Sequence, residues 1–179
     1  TIVKGTGEVL GTYKDVKAAE KAVQNYCSGA ACFTAGTLIE TDQGLKEIEQ
    51  FVGGELIWTR NDITLEYGYR PVIATKVTAD QPIFEVVIRG GNGQQETLNT
   101  TAEHPFWVKE LGWLKASLLQ SGMTLLDRNN KELTIVSQIL IPNRLETVYN
   151  IEVDELHTYH VGELGVWVHN ADCCNTNRI

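Results

Sequence analysis

From residue 32 onward this chain is written in short runs of β-branched and aromatic residues. The runs are TLIET (37–41), GELIWT (54–59), PVIATKV (71–77), PIFEVVI (82–88), ELTIVSQILI (132–141), TVYNIEV (147–153) and GVWVH (165–169). Turn formers such as GG, RND, RGGNG and RNN separate them. Such spacing constrains the chain to an all-β domain built from many short strands. Within it only Ala116–Gly122, ASLLQSG, reads as a short helical turn.

The first 31 residues are different. Between Thr12 and Gly29, apolar residues fall at Tyr13, Val16, Ala19, Val23, Tyr26 and Cys27, close to a helical stripe. Thr12 with Asp15 resembles a capping box, and Gly29 can end the helix. The spacing predicts one amphipathic helix there. The chain begins with Thr and reads as a segment of a longer polypeptide.

Composition excludes several classes. Fifteen Lys and Arg against 23 Asp and Glu give a net charge of −8, whereas a nucleic-acid grip needs clustered positive charge. Apolar residues at 42% and charged residues at 21% are those of a globular chain, not a disordered one. No apolar run is long enough to predict a membrane span, and the N-terminus lacks the apolar core of a signal peptide. The four cysteines, Cys27, Cys32, Cys173 and Cys174, are too few and too unevenly placed for a disulfide framework.

A weak internal repeat runs through the β region. Residues 51–61, FVGGELIWTRN, align with residues 119–129, LQSGMTLLDRN, at an offset of 68. Phe51 then meets Leu119, Gly54 meets Gly122, and Arg60-Asn61 meets Arg128-Asn129. Further on, IFEVVI (83–88) resembles VYNIEV (148–153), and EHPFWV (103–108) resembles LHTYHV (156–161). Three matches in one order suggest two related halves.

The four histidines, His104, His157, His160 and His169, lie in the C-terminal part together with the terminal His169-Asn170 pair. Four stretches carry a resemblance. They are Cys32-Phe33-Thr34-Ala35-Gly36-Thr37 followed by Ile39, Thr41 and Gly44; Thr101-Ala102-Glu103-His104-Pro105-Phe106-Trp107, which fits a T-x-x-H motif; Val148-Tyr149-Asn150 through His157-Thr158-Tyr159; and Val168-His169-Asn170. In this order they resemble the Hint superfamily of inteins and hedgehog autoprocessing domains, and most closely the Hint domains of bacterial polymorphic toxins. The span covers 139 of the 179 residues, 32–170.

The resemblance implies an all-β horseshoe of two pseudo-twofold halves and a self-processing activity that needs no cofactor. Cys32 would attack the Ala31 carbonyl and convert the Ala31–Cys32 peptide bond to a thioester. His104 would protonate the leaving nitrogen, a task suited to a group titrating near neutrality, with Thr101 hydrogen-bonding beside it. At the other end Asn170 would cyclise on its own carbonyl and break the bond to Ala171, assisted by His169 and His157. The substrate is then the chain's own flanks. Residues 1–31 and 171–179 would be remnants of an upstream delivery domain and a downstream toxin in a secreted bacterial protein. No nucleic acid is expected as partner, and the domain is expected as a monomer.

Two departures matter. Splicing needs a nucleophile after the asparagine, and Ala171 is none; Cys173 and Cys174 lie two and three residues further on. Many splicing inteins carry an aspartate where this chain has Asn150, which has no charge and is no base. Both favour cleavage over ligation. The rival reading is a Hint-fold spacer without activity. Among other patterns, Asn99-Thr100-Thr101 fits a glycosylation sequon, His169 with Cys173-Cys174 lacks metal-motif spacing, and Trp58, Trp107, Trp113 and Trp167 read as aromatic core. His160 reads as structural.

Overall fold

The computed structural model describes residues 31–169 and the backbone of two short strands before them. These are β1 (Ile2–Val3) and β2 (Val9–Gly11), paired antiparallel. The helix expected between Thr12 and Gly29 lies outside the described residues. From residue 33 the strands are β3 (Phe33–Thr34), β4 (Leu38–Thr41), β5 (Gly44–Glu47), β6 (Leu56–Arg60), β7 (Tyr67–Arg89), β8 (Gln95–Thr100) and β9 (Pro105–Val108). They continue with β10 (Gly112–Lys115), β11 (Thr124–Leu126), β12 (Glu132–Val153), β13 (Thr158–Val161) and β14 (Val166–His169). All twelve belong to one hydrogen-bonded sheet. The helical turn expected at Ala116–Gly122 is a single 3-10 turn, Ala116–Leu118, with a counterpart at Ile48–Gln50.

Two strands organise the rest. The runs at 71–77 and 82–88 are one strand, β7, of 23 residues, and those at 132–141 and 147–153 are one strand, β12, of 22. They pair antiparallel from Thr134↔Arg89 to Val153↔Val72. The register slips between Leu140 and Leu145, and there Asp80 (φ +57°) and Asn143 (φ +60°) take the left-handed conformation. Asp and Asn tolerate that region better than other side chains. With Pro82 and Pro142 nearby, they interrupt the alternation that marks a strand in sequence, so each long strand reads as two.

The first of the three matches is structural, whereas that of 103–108 with 156–161 is not, because β9 is the counterpart of β4 and not of β13. Hairpin β4–β5, the 3-10 turn, β6 and β7 recur as β9–β10, the second 3-10 turn, β11 and β12. From β5 to the start of β6 the offset is the 68 residues seen in sequence: Gly44 to Gly112, Ile48 to Ala116 and Leu56 to Thr124. The backbone bonds recur too. Phe51 and Leu119 donate to the carbonyls of Ile48 and Ala116. Gly54 and Gly122, both at φ +90°, donate to Val72 and Ile135, each at 2.8 Å. The halves close on each other where β14 meets β9, Val168 against Phe106.

One contiguous core fills the centre, with Ile39, Ile57, Val86, Ile88, Leu125, Ile135, Val161 and Val168 among its members. Trp107, Trp113 and Trp167 form a satellite cluster of tilted and edge-on rings at 4.8–5.2 Å, as aromatic quadrupoles prefer. Trp58 stands apart, stacked on Tyr67. Among the described residues no helix is long and apolar enough to cross a membrane.

The β13–β14 turn, Gly162–Gly165, delivers His169 to the centre. Glu96 holds it by accepting the Glu163 and Leu164 N–H groups at 2.8 and 2.9 Å. Gly162 sits at φ +79°, and a Cβ there would lie 2.5 Å from the pinned Glu96 carboxylate. Gly162→Ala is therefore expected to lower unfolding stability by more than about 1 kcal/mol. Urea denaturation checks this; an unchanged midpoint would show that the turn absorbs the side chain freely.

Candidate active site

Cys32 is completely buried and packs against Ile83 and Val148. It stands at the entry to β3, the short strand wedged between β12 and β8. The backbone on both sides of it is clamped by two threonines at the end of β8. The Cys32 N–H, which belongs to the Ala31–Cys32 peptide, donates to Thr101 Oγ1 at 3.0 Å. The Cys32 carbonyl accepts the Thr101 N–H at 3.0 Å and the Thr100 hydroxyl at 3.0 Å. Thr100 was not singled out by the sequence, where it is the middle of a common sequon. It nevertheless fixes the carbonyl as firmly as Thr101 does.

The loop from Thr101 to His104 is anchored from behind. Ala116 N–H donates to the His104 carbonyl at 2.9 Å and Ser117 N–H to the Ala102 carbonyl at 3.1 Å. The 3-10 turn thus sets the position of the imidazole. His104 is fully buried, 4.2 Å between ring centroids from Phe33. Its Nε2 lies 3.1 Å from the Tyr159 hydroxyl and its Nδ1 3.4 Å from the Pro105 carbonyl. Burial pushes its pKa down to about 3; the Pro105 carbonyl opposes this and the charge of nearby His169 adds to it.

The Tyr159 hydroxyl in turn donates to Asn150 Oδ1 at 3.1 Å. Burial raises the Tyr159 pKa well above its usual value, and Cys32 contributes in the same direction, so the phenol lies within electrostatic reach of the thiol. Sequence reasoning gave Tyr159 no role. The available signal was a phenol at the centre of a buried strand, where a hydroxyl demands a partner.

His169 ends β14, paired with Thr158 across the hairpin and edge-on to Trp113 at 5.0 Å. The His157 ring lies 6.4 Å from that of His169, nearly parallel to it, and its backbone is left-handed at φ +57°. Cys32, Thr101, His104, His157 and His169 therefore converge from both halves of the fold. Asn170 and Ala171 lie outside the described residues, as do Cys27, Cys173 and Cys174. His160 points elsewhere: it is buried, and its Nδ1–H donates to the Trp58 carbonyl at 2.8 Å. Among the described residues no group of three or more His, Cys, Asp or Glu could hold a metal ion.

A strand network of this topology, with a buried cysteine and histidine at its closure, defines an intein-like Hint domain. The sequence model of the pretoxin HINT domain matches residues 38–171, and the chain belongs to that family. The solution structure of a bacterial intein-like domain from Clostridium thermocellum is 38% identical; the match covers 80% of this chain and 100% of that one, with a TM-score of 0.72. The gp41-1 intein (21% identical, 79% and 100% covered, TM-score 0.64) shares the fold. So does a DnaB intein from Synechocystis sp. PCC 6803 (19% identical, 79% and 99% covered, TM-score 0.65). Among curated proteins none matches the chain.

Burial leaves a pH signature. His104 at about 3 and His160 at about 4 are both depressed from 6.5, His160 by burial first. The unfolded chain then binds more protons than the native one below pH 6.5. Native stability is full above pH 6.5 and falls as pH drops towards 4, by up to about 1.4 kcal/mol per pH unit for each histidine. Between pH 6.5 and 5 the ordinary carboxylates contribute little. Denaturation midpoints at pH 7 and pH 5 are expected to differ, and less so in His160→Gln, which keeps a donor for the Trp58 carbonyl. Equal pH dependence in the variant would contradict the assignment.

Proposed function

We propose that this chain is a single-turnover self-cleaving domain of residues 32–170, acting on its own flanks, 1–31 and 171–179. The observation that carries the reading is the hold on Cys32. The nitrogen of the Ala31–Cys32 peptide sits on the Thr101 hydroxyl at 3.0 Å, in a dry centre shared with a neutral histidine.

In the N-terminal step, Cys32 Sγ adds to the Ala31 carbonyl carbon. The C–S bond forms, the C–N bond breaks, and one proton passes from sulfur to nitrogen. The result is a thioester on Cys32 and a free amine, with nothing consumed. The five-membered ring of this attack replaces a second reactant by proximity. With a pKa of about 3, His104 is a weaker base than the near-neutral histidine the resemblance implies, and in this reading it relays the thiol proton to the leaving nitrogen without resting as a cation. The fixed Thr100 and Thr101 hydroxyls keep the peptide from drifting during the attack.

In the C-terminal step, the Asn170 side-chain nitrogen adds to its own carbonyl carbon and the bond to Ala171 breaks. The proton lost by the amide passes to the departing amine. His169, adjacent to Asn170 in sequence and with the His157 ring 6.4 Å from its own, would serve this transfer. Ala171 offers no nucleophile to receive a thioester, so the two cleavages end in release instead of ligation. In a pretoxin context the reading is that of a device freeing a downstream payload from an upstream delivery region of a secreted protein.

Intact-mass measurement over time tests both steps. In dithiothreitol, residues 1–31 are expected to separate from the native chain and to stay attached in Cys32→Ala. Residues 171–179 are expected to separate with or without thiol, and to stay attached in Asn170→Ala. An intact chain under all pH and thiol conditions would make the domain a spacer.

A further inference from the structure

The hydrogen bonds behind His104 assign its protons. Asn150 Oδ1 accepts the Ile151 N–H at 2.9 Å, which fixes the oxygen of that amide on this side. The Tyr159 hydroxyl, 3.1 Å from the same oxygen, has to donate to it, because two acceptors repel. Its only proton is thereby committed. His104 Nε2, 3.1 Å from the phenol oxygen, faces an acceptor and has to carry hydrogen.

We infer that Tyr159 is a positioning residue whose hydroxyl, held by Asn150, locks His104 in the Nε2–H tautomer and leaves Nδ1 as its basic atom. The inference rests on the proposed attack by Cys32 for its consequence, but the tautomer itself is independent of any cleavage. Two further observations fit. All three side chains are buried, Tyr159 and His104 completely and Asn150 at 5% exposure, so no water competes for the bonds. The competing contact, Nδ1 with the Pro105 carbonyl, is longer at 3.4 Å, so the single proton of the neutral ring goes to the 3.1 Å contact with the phenol, and the carbonyl becomes an acceptor for Nδ1 only when that atom gains a proton. The site therefore holds an acceptor for each N–H of the imidazolium that exists while a proton is in transit from sulfur to nitrogen.

The lock also gives Asn150 a task that needs no charge. An amide in this place orients the phenol by its fixed oxygen, and does so at any pH. Removing the phenol oxygen frees the imidazole to place its proton on Nδ1, towards Pro105, so that the atom proposed as the base becomes the donor. A wrong tautomer is costly wherever a histidine moves protons.

The test uses the full chain carrying Cys32→Ala, which keeps both flanks, and reads the His104 imidazole nitrogen shifts by NMR at neutral pH. Nε2–H with bare Nδ1 is expected. Asn150→Leu leaves histidine and tyrosine intact but releases the hydroxyl to donate to Nε2, and is expected to switch His104 to Nδ1–H. In the chain with Cys32, Tyr159→Phe keeps the buried ring and is expected to slow thiol-dependent loss of residues 1–31 by roughly a hundredfold. An Nδ1–H tautomer in the unsubstituted network, or no switch in Asn150→Leu, overturns the inference even if cleavage is robust. Absence of cleavage in the native chain sinks the proposed function and leaves the tautomer result standing.

Discussion

The antiparallel pairing of β7 with β12 is the constraint on which the molecule depends. At about 3.3 Å per residue these strands are far too long for one small sheet. Each therefore starts in one half of the fold and finishes in the other. β7 pairs with β6 at its beginning and β8 at its end, while β12 pairs with β11 and then β3. The slip at Asp80 and Asn143 lets the pair bend at the middle. Because the exchange is reciprocal, it brings β3 and β8 together on one side, Phe33 against Thr100. That contact places Cys32 on Thr101 and, through the next loop, His104 against the neighbouring Phe33.

The second consequence is dryness. Closure of the halves buries Cys32, His104, Thr101, Tyr159 and His169, all at 5% exposure or less. In such a place an unpaired polar group is expensive and a charge more so. The fold answers with short chains of hydrogen bonds, one gripping the Cys32 peptide through Thr100 and Thr101, the other running from His104 through Tyr159 to Asn150. Burial keeps the imidazole neutral, and the hydrogen bonds decide where its proton sits. In the proposed reading stability and chemistry draw on the same groups, so the fold is expected to lose stability in acid through the histidine at its centre.

Much of this was legible in the sequence. The change of character at residue 32, the 68-residue offset and the four motif stretches pointed to the fold and to Cys32, Thr101, His104, His157 and His169. The continuity of β7 and β12 was not, because Asp80, Pro82, Pro142 and Asn143 break the alternation where the strands bend. β8, QETLNT, carries no strand signal in sequence because only Leu98 in it is a strongly apolar residue. Thr100 and Tyr159 escaped for a different reason: each acts through a partner 68 or 55 residues away, and no local pattern marks such a pairing. The amphipathic stripe of 12–29 and the Asn170–Ala171 bond lie beyond the described residues, so that end of the reading rests on sequence.

The central claim is that this centre activates the peptide before Cys32. A thioester there reacts with hydroxylamine, and the fragment 1–31 leaves as a hydroxamate at Ala31. Incubation of the full chain with hydroxylamine at neutral pH, followed by mass spectrometry, is predicted to give that product from the native chain and none from Cys32→Ala. An unchanged intact mass, or the same fragment from both chains, would contradict the account.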